Sequence, residues 1–262
     1  MSNQPILQVQ AVTKAFGGVT AVNRVTFDIF EKEILGIIGP NGSGKTTLIN
    51  CVTGFIKMTS GKIFFRGKNI TGKPAHKIAD MGITRTFQIM RPYYSLPCYK
   101  NLVIPLFSPR AKRTGGWRGG GKLGDRDTVG IDILEEIGFE RDSFVPYKIA
   151  STLPTGYLKR LELARCLALK PEIIICDEIF SGLSMSEIAS MVPLIERLQM
   201  DGITLIMIEH RLRELFRVSN RVMVLNFGEK VIEGSPEEVM ADEKVKEVYF
   251  GSEEVEEVMS HA

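Results

Sequence analysis

The stretch Gly39 to Thr46, GPNGSGKT, constrains this chain more than any other. It fits a glycine, four residues, a second glycine, a lysine and then serine or threonine, the pattern of a loop that cradles phosphates. Ahead of it, Ile34 to Ile38 is an apolar run of strand length, and after it Thr46 to Val52 carries apolar residues at helical spacing. Strand, loop and helix are the setting the pattern requires. A loop wrapped round a polyphosphate turns successive backbone N–H groups inward, where side chains would collide with the oxygens, so Gly39, Gly42 and Gly44 supply room. The helix starting near Lys45 adds unpaired N–H groups and the positive end of its dipole. Lys45 is placed to reach the β- and γ-phosphates and the Thr46 hydroxyl to ligate Mg²⁺, with Pro40, Asn41, Ser43 and Thr47 completing the nucleotide-contacting stretch.

At 262 residues the chain is long enough for one large domain or two small ones, and its apolar content supports a sizeable core. A net charge of +2 argues against a partner held by bulk electrostatics. The opening MSNQPILQVQ lacks a basic region followed by a long apolar one, and no apolar run approaches the ~18 residues of a spanning helix. A soluble chain is expected, reaching any membrane through partners. Cys51, Cys98, Cys166 and Cys176 are scattered without metal-ligand spacing, which predicts reduced core thiols in a cytosolic protein.

Leu7, Val9 and Ala11 alternate with polar residues, as do Val25, Phe27 and Ile29, so two half-buried antiparallel strands open the chain. Between them Phe16 precedes a glycine pair; it is either a core aromatic, the commoner case, or a ring exposed to stack on a base. KIFFRGKNI reads as a strand, Pro74 to Ala79 as a short helix, and Ile83 to Phe87 as a brief strand stopping at Gln88. Ile89 to Pro97, with two prolines, Tyr93 and Tyr94, predicts an irregular exposed loop offering aromatic area to a partner. Ser108 to Arg126 holds six basic residues, Arg110, Lys112, Arg113, Arg118, Lys122 and Arg126, against Asp125 alone. Anionic lipid, nucleic acid and a merely solvated insertion loop all fit that composition.

Leu153 to Tyr157, LPTGY, precedes a strongly apolar helix that Pro171 stops. Ile173 to Cys176 then reads as a fully buried strand delivering Asp177 and Glu178 at its C-terminal end. Acids there need a cationic partner or solvent, and ligands of open α/β sheets bind beyond such strand ends. Asp177 suits a second Mg²⁺ ligand, often through water, and Glu178 a group that orients or deprotonates an attacking water. Met191 to Gln199 predicts a helix with Pro193 near its first turn. Ile203 to Ile208 is another buried strand, ending at Glu209-His210, and Arg221 to Leu225 with Lys230 to Ile232 flank NFGE as a hairpin. The tail from Pro236 carries nine Asp or Glu against two Lys and is expected to be a solvated helix and frayed end.

Phosphate loop, lone Gln, glycine-bearing segment before a helix, strand with Asp-Glu and strand with His form an ordered series. It resembles the nucleotide-binding subunits of ABC transporters over nearly the whole chain, and FGGVTAVNRV, NGSGKTTLINCVTGF, ITRTFQ, RLELARCLALKPEI and MIEHRL look most like the ATPase subunits of branched-chain amino-acid importers. The resemblance implies an α/β fold: a P-loop NTPase of ABC type with a mixed central sheet, an N-terminal antiparallel β-subdomain and an inserted α-helical subdomain. Residues 1–88 and 166–235 would form the nucleotide-binding core, 89–165 the helical subdomain facing the membrane subunits, and 236–262 the acidic tail. It implies Mg²⁺-dependent ATP hydrolysis that powers uptake of branched-chain amino acids or a related small polar solute. Phe16 matches the aromatic that stacks on adenine, Gln88 the residue sensing Mg²⁺ and the attacking water, Glu178 the catalytic carboxylate and His210 the switch histidine on the γ-phosphate. Implied partners are integral-membrane permease subunits, with a substrate-binding protein acting indirectly, on the cytoplasmic face of the membrane; no nucleic acid is expected.

Family members dimerise head to tail, so each ATP meets one subunit's phosphate loop and the other's signature, usually LSGGQ. Here the signature is LPTGY: Pro154 has neither hydroxyl nor N–H, Thr155 replaces a glycine, and Gly156 alone remains of the inner three. Ile179 replaces the usual proline after the catalytic Glu, and SGLS with Ser184 replaces SGLD. These departures point to a heterodimer with a second ATP-binding subunit carrying an intact signature. Two rival readings are a soluble ABC-type ATPase acting on nucleic acid or ribosomes, which the basic insertion favours, and a regulatory nucleotide binder, which LPTGY favours. Against the first stands the absence of tandem domains or coiled coil, and against the second the retained Glu178 and His210.

Overall fold

The computed structural model describes residues 4–114 and 126–249, so Arg118, Lys122 and the end of the acidic tail lie outside the described residues. Its strands are β1 (Leu7–Phe16), β2 (Val19–Ile29), β3 (Ile34–Ile38), β4 (Ser60–Phe65), β5 (Lys68–Asn69), β6 (Ile83–Arg85), β7 (Ile173–Asp177), β8 (Thr204–Ile208), β9 (Arg221–Asn226) and β10 (Glu229–Gly234). Its helices are α1 (Lys45–Val52), α2 (Ala75–Met81), α3 (Lys100–Leu106), α4 (Pro109–Arg113), α5 (Arg126–Glu136), α6 (Thr155–Leu167), α7 (Met185–Met200), α8 (Leu212–Val218), α9 (Pro236–Ala241) and α10 (Glu243–Tyr249). The chain divides into two compact units, one built from the stretch up to Ile78 and from Glu196 onward, the other spanning Ala79–Ile195.

The first unit contains an antiparallel sheet in the order β2-β1-β4-β5 and a run of strands in the order β10-β9-β3-β8. In that run β3 is parallel to β8 and β9, whereas β10 returns antiparallel to β9, so the arrangement is mixed. Strands β3 and β8 are buried along their whole length, which is why their sequences are unbroken apolar runs instead of alternations. Val25, Phe27 and Ile29 of β2 all face inward, as the alternation predicts. On β1 the pattern changes partway: Leu7 and Val9 are buried, but Ala11 takes a φ of 46° and the pairing with β2 slips between Val9 and Val12. Val12, not Ala11, occupies the next inward place, because a bulge inserts one residue and resets the period. The β9–β10 hairpin turns at Phe227 (φ 44°) and Gly228 (φ 79°), the two consecutive positive angles that suit the twist of paired strands.

In the second unit β6 and β7 pair in parallel. Helix α7 starts at Met185, so Pro193 lies inside it instead of near its first turn. The early start has a cause in Ser184 and Glu187: the Glu187 N–H donates to Ser184 Oγ at 3.3 Å and the Ser184 N–H to Glu187 Oε2 at 2.8 Å, a reciprocal cap. Buried Asn101 shapes the Tyr93–Pro97 loop, its Oδ1 accepting from Tyr93 N–H at 2.6 Å and its Nδ2 donating to Pro97 O at 3.1 Å. Tyr93 and Tyr94 of that loop are exposed, as expected.

The basic stretch is only partly a surface feature. Arg110 is buried, donating to Lys170 O and Met81 O at 2.7 Å each and to Glu172 Oε1 at 3.0 Å, and Arg113 pairs with Asp80 at 3.0 Å. All four cysteines are buried and unbridged, and burial pushes Cys51 and Cys98 up to about 11 and Cys166 to about 12, so these thiols are unreactive at neutral pH. Replacing Arg110 with Met is expected to destabilise the protein by about 2–3 kcal/mol, since a carboxylate and two carbonyls lose their donor together. Urea unfolding followed by circular dichroism measures the shift.

Candidate functional site

In the first unit, β3 runs into the glycine loop and the loop into α1. Helix α1 begins at Gly44, whose φ of 100° is open to glycine, and no side chain caps it. The loop is braced from within by Ser43 N–H to Pro40 O at 3.1 Å and from β-hairpin residue Gly228, whose N–H donates to Ser43 O at 3.0 Å. Room is needed at the glycines for different reasons. A side chain at Gly39 would strike the Leu225 carbonyl and one at Gly44 the Ala21 carbonyl, so the chain's own backbone crowds them; Gly42 faces open space and is required by its φ of 81°. Lys45 is buried and its ammonium donates to Gly39 O at 2.6 Å and Pro40 O at 3.1 Å. Ser43 Oγ is buried with no hydrogen-bond partner. Donors from Ser43, Lys45 and the uncapped helix start are thus gathered at one loop, the chemistry a polyphosphate requires. Thr46 is exposed in the first turn of α1, Thr47 is half-buried beside it, and Asn41 is exposed in the loop.

Phe16, at the end of β1, is 51% exposed with the Lys14 ammonium 4.6 Å from its ring centre, so it is the exposed alternative and not a core aromatic. His210 stands half-buried at the bend following β8.

In the second unit, Asp177 ends β7 and is buried, and its cation is Arg85, the last residue of the neighbouring β6, with both side chains under a tenth exposed. The Thr86 hydroxyl accepts from Asp177 N–H at 3.1 Å. Glu178 follows with a φ of 52°, and Gln88 Nε2 donates to its Oε2 at 2.8 Å. Two residues ninety positions apart in sequence are therefore in direct contact. The segment after Gln88 is fastened to α6 by buried Glu162, whose Oε1 accepts from Arg91 N–H and from Arg165, each at 2.8 Å. Arg85 and Glu162 are site-shaping residues that the sequence reading did not single out.

The LPTGY segment is the start of α6. Pro154 occupies the cap position and supplies no side-chain hydrogen bond, Thr155 is the first helical residue, and Tyr157 packs edge-on against Phe139 at 5.1 Å. Gly156 lies against the Glu187 carboxylate: a Cβ there would collide with Glu187 Oε1. Glu187 is held below the usual carboxylate range by the Ser184 backbone N–H first, then the Ser184 hydroxyl, with smaller help from the Gly156 N–H and the Arg160 charge. One carboxylate thus serves the starts of both α7 and α6. Together with Gly156, Tyr157 and Arg160 it lines a cavity of about 200 Å³.

A mixed sheet whose strand feeds a glycine loop and a helix start defines a phosphate-loop nucleotide-binding domain. Comparison with known proteins narrows the class. The family model described as ABC transporter matches residues 22–181, and one described as branched-chain amino acid ATP-binding cassette transporter matches residues 229–255. The high-affinity branched-chain amino acid transport ATP-binding protein LivG of Escherichia coli is 36% identical over 258 residues, spanning 95% of this chain and 99% of that protein. BraF, the corresponding protein of Pseudomonas aeruginosa, is 35% identical over 259 residues, with 95% and 99% covered. The crystal structure of the ADP conformation of an ATP-binding cassette of an ABC transporter superposes with a TM-score of 0.83 at 30% identity, covering 95% of this chain and 100% of that one. A nucleotide-free cassette gives 0.81 at 30%, with the same coverage. The chain belongs to the ABC transporter family, as one of its ATP-binding cassettes.

The Ser184–Glu187 cap carries a pH signature. Because the folded-state pKa of Glu187 lies below its ordinary value of 4.5, its stabilisation is complete above about 4.5 and is lost as pH falls through the lower, folded value. Ser184→Ala is expected to cost about 1 kcal/mol of stability through the lost cap. It should also raise the Glu187 titration midpoint, which carboxyl-carbon NMR across the acid range reads directly.

Proposed function

We propose that this chain is the ATP-hydrolysing subunit of a transporter that takes up branched-chain amino acids or a related small polar solute. The observation that carries the reading is the glycine loop, where the buried ammonium of Lys45 and the partnerless buried hydroxyl of Ser43 surround an uncapped helix start. The relatives' names support the solute class. In this reading the loop N–H groups from Gly39 to Thr47 and Lys45 hold the phosphates, and the exposed Phe16 ring stacks on the adenine. Thr46 in the first unit, and Gln88 and the Arg85-paired Asp177 in the second, each carry an oxygen donor of the kind Mg²⁺ prefers, and the ion would supply positive charge against the phosphates. Glu178 orients and deprotonates the attacking water, Gln88 holds that carboxylate, and His210 contacts the γ-phosphate.

No helix among the described residues is long and apolar enough to cross a membrane. The relatives' names as transport ATP-binding proteins support integral-membrane partner subunits, to which this chain attaches on the cytoplasmic side in this reading. A surface of the second unit suits that attachment. The Tyr94–Leu96 and Ile149–Ser151 segments run side by side, with Ala150 N–H on Leu96 O at 3.0 Å and Ser151 N–H on Tyr94 O at 3.1 Å. Tyr94, Leu96 and Ile149 are exposed on them, and Phe144 and Tyr147 in the turn leading into the second, aromatic and aliphatic area of the kind that partners cover. The nucleic-acid reading loses support because Arg110 and Arg113 are already engaged within the fold.

The working ATPase is a heterodimer in this reading. Glu187 sits at Gly156, so the LPTGY end has a carboxylate of its own where a partner's γ-phosphate would approach, and two like charges repel there. Full-activity sites then combine this chain's phosphate loop, Gln88, Glu178 and His210 with a partner's intact signature. The purified chain alone is expected to hydrolyse ATP weakly, and addition of an LSGGQ-bearing subunit to raise turnover; vigorous cooperative hydrolysis by the homodimer would sink the heterodimer. Glu178→Gln is expected to lower turnover about 100-fold or more while ATP still binds, checked by steady-state hydrolysis and by calorimetric titration of Mg-ATP.

A further inference from the structure

Glu178 occupies the left-handed region at φ 52°, where a side chain crowds its own backbone, and such a conformation persists only when neighbours over-determine it. Its carbonyl supplies the anchor. Lys159 Nζ donates to Glu178 O at 2.7 Å, and the Ser181 N–H donates to the same oxygen at 3.3 Å. Lys159 comes from α6 and is only 4% exposed, so its ammonium has given up hydration to be there. It lies one turn beyond Thr155, the first residue of α6. On the other side of the peptide, Gln88 Nε2 holds the Glu178 carboxylate at 2.8 Å, and Gln88's own segment is tied to α6 through Glu162. One helix therefore fixes both the backbone of Glu178 and the segment that carries its side-chain partner.

We propose that Lys159 is a positioning residue for ATP hydrolysis: by holding the Glu178 carbonyl it stabilises the left-handed peptide that aims the Glu178 carboxylate at Gln88 and the attacking water. The inference rests on the reading of Glu178 as the catalytic carboxylate. A neutral side chain of similar length at 159 would let the peptide relax toward negative φ and swing the carboxylate off its target, and sub-ångström aim matters at a reacting centre.

The test uses the full chain with Lys159→Met. In a crystal structure of the variant, Glu178 is expected to leave the left-handed region and to lose its bond to Gln88. In the assembled transporter, kcat for ATP is expected to fall about tenfold or more with KM within about twofold, and Lys159→Arg to recover most of the loss. The proposal is overturned if Glu178 keeps its positive φ, if kcat is unchanged, or if Lys159→Arg recovers nothing. Should Lys159→Met fail to fold, Lys159→Gln is measured instead: normal turnover there, or a second failure to fold, overturns the proposal in the same way. A Glu178→Gln control separates the two readings. If that variant hydrolyses ATP normally, the catalytic assignment falls, while the Glu178 φ still decides whether Lys159 holds the peptide.

Discussion

A helix leaves the N–H groups of its first turn without partners, and this chain answers that demand in two opposite ways. Helices α1 and α6 both start without a side-chain cap, at Gly44 and Pro154 respectively. Around α1 the neighbouring groups are donors as well: the Lys45 ammonium, held on the Gly39 and Pro40 carbonyls, and the Ser43 hydroxyl, which is buried without a partner, so the loop gathers donors and offers no acceptor side chain to the helix start. Around α6 the acceptor is already part of the chain, in the form of Glu187. The same backbone requirement thus yields a donor-lined glycine loop in one unit and a self-satisfied terminus in the other.

The second unit applies similar logic to charge. Asp177 is buried, and Arg85 on the adjacent strand pairs with it at almost no exposure. That pairing locks the end of β7, after which the chain turns through Glu178 in a conformation that β-strand geometry would not provide. Rigidity at Asp177 and a sharp turn at Glu178 belong together: the turn can point a carboxylate reliably only if the strand beneath it does not move.

What could be read from the sequence tracks how much of each feature is local. The phosphate loop is dense with constraint, eight consecutive residues between a buried strand and a helix, and it stood out at once. The contact of Gln88 with Glu178 joins distant segments and was reachable only through family resemblance. Arg85 had a signal, since a buried acid needs a cation, but nothing in the spacing said which one. Against the family's SGLD, Ser184 stands out as a missing acid, whereas Ser-x-x-Glu ahead of an apolar run is itself a helix-start pattern, and the structure uses it so. Phe16 went against frequency because most aromatics are buried while this one ends a strand at a glycine turn. The bulge at Ala11 and the inward swing of Arg110 left no trace in composition, since both follow from tertiary packing.

The contact of Gly156 with Glu187 makes three positions inherit one another's changes. A methyl group at 156 must evict the carboxylate; a shortened side chain at 187 leaves two helix starts seeking acceptors at once; an alanine at 184 removes the brace that keeps the carboxylate in place. Drift at any one of the three is therefore tolerated only alongside compensating drift at the others, and lineages of this chain should carry them as a single inherited block.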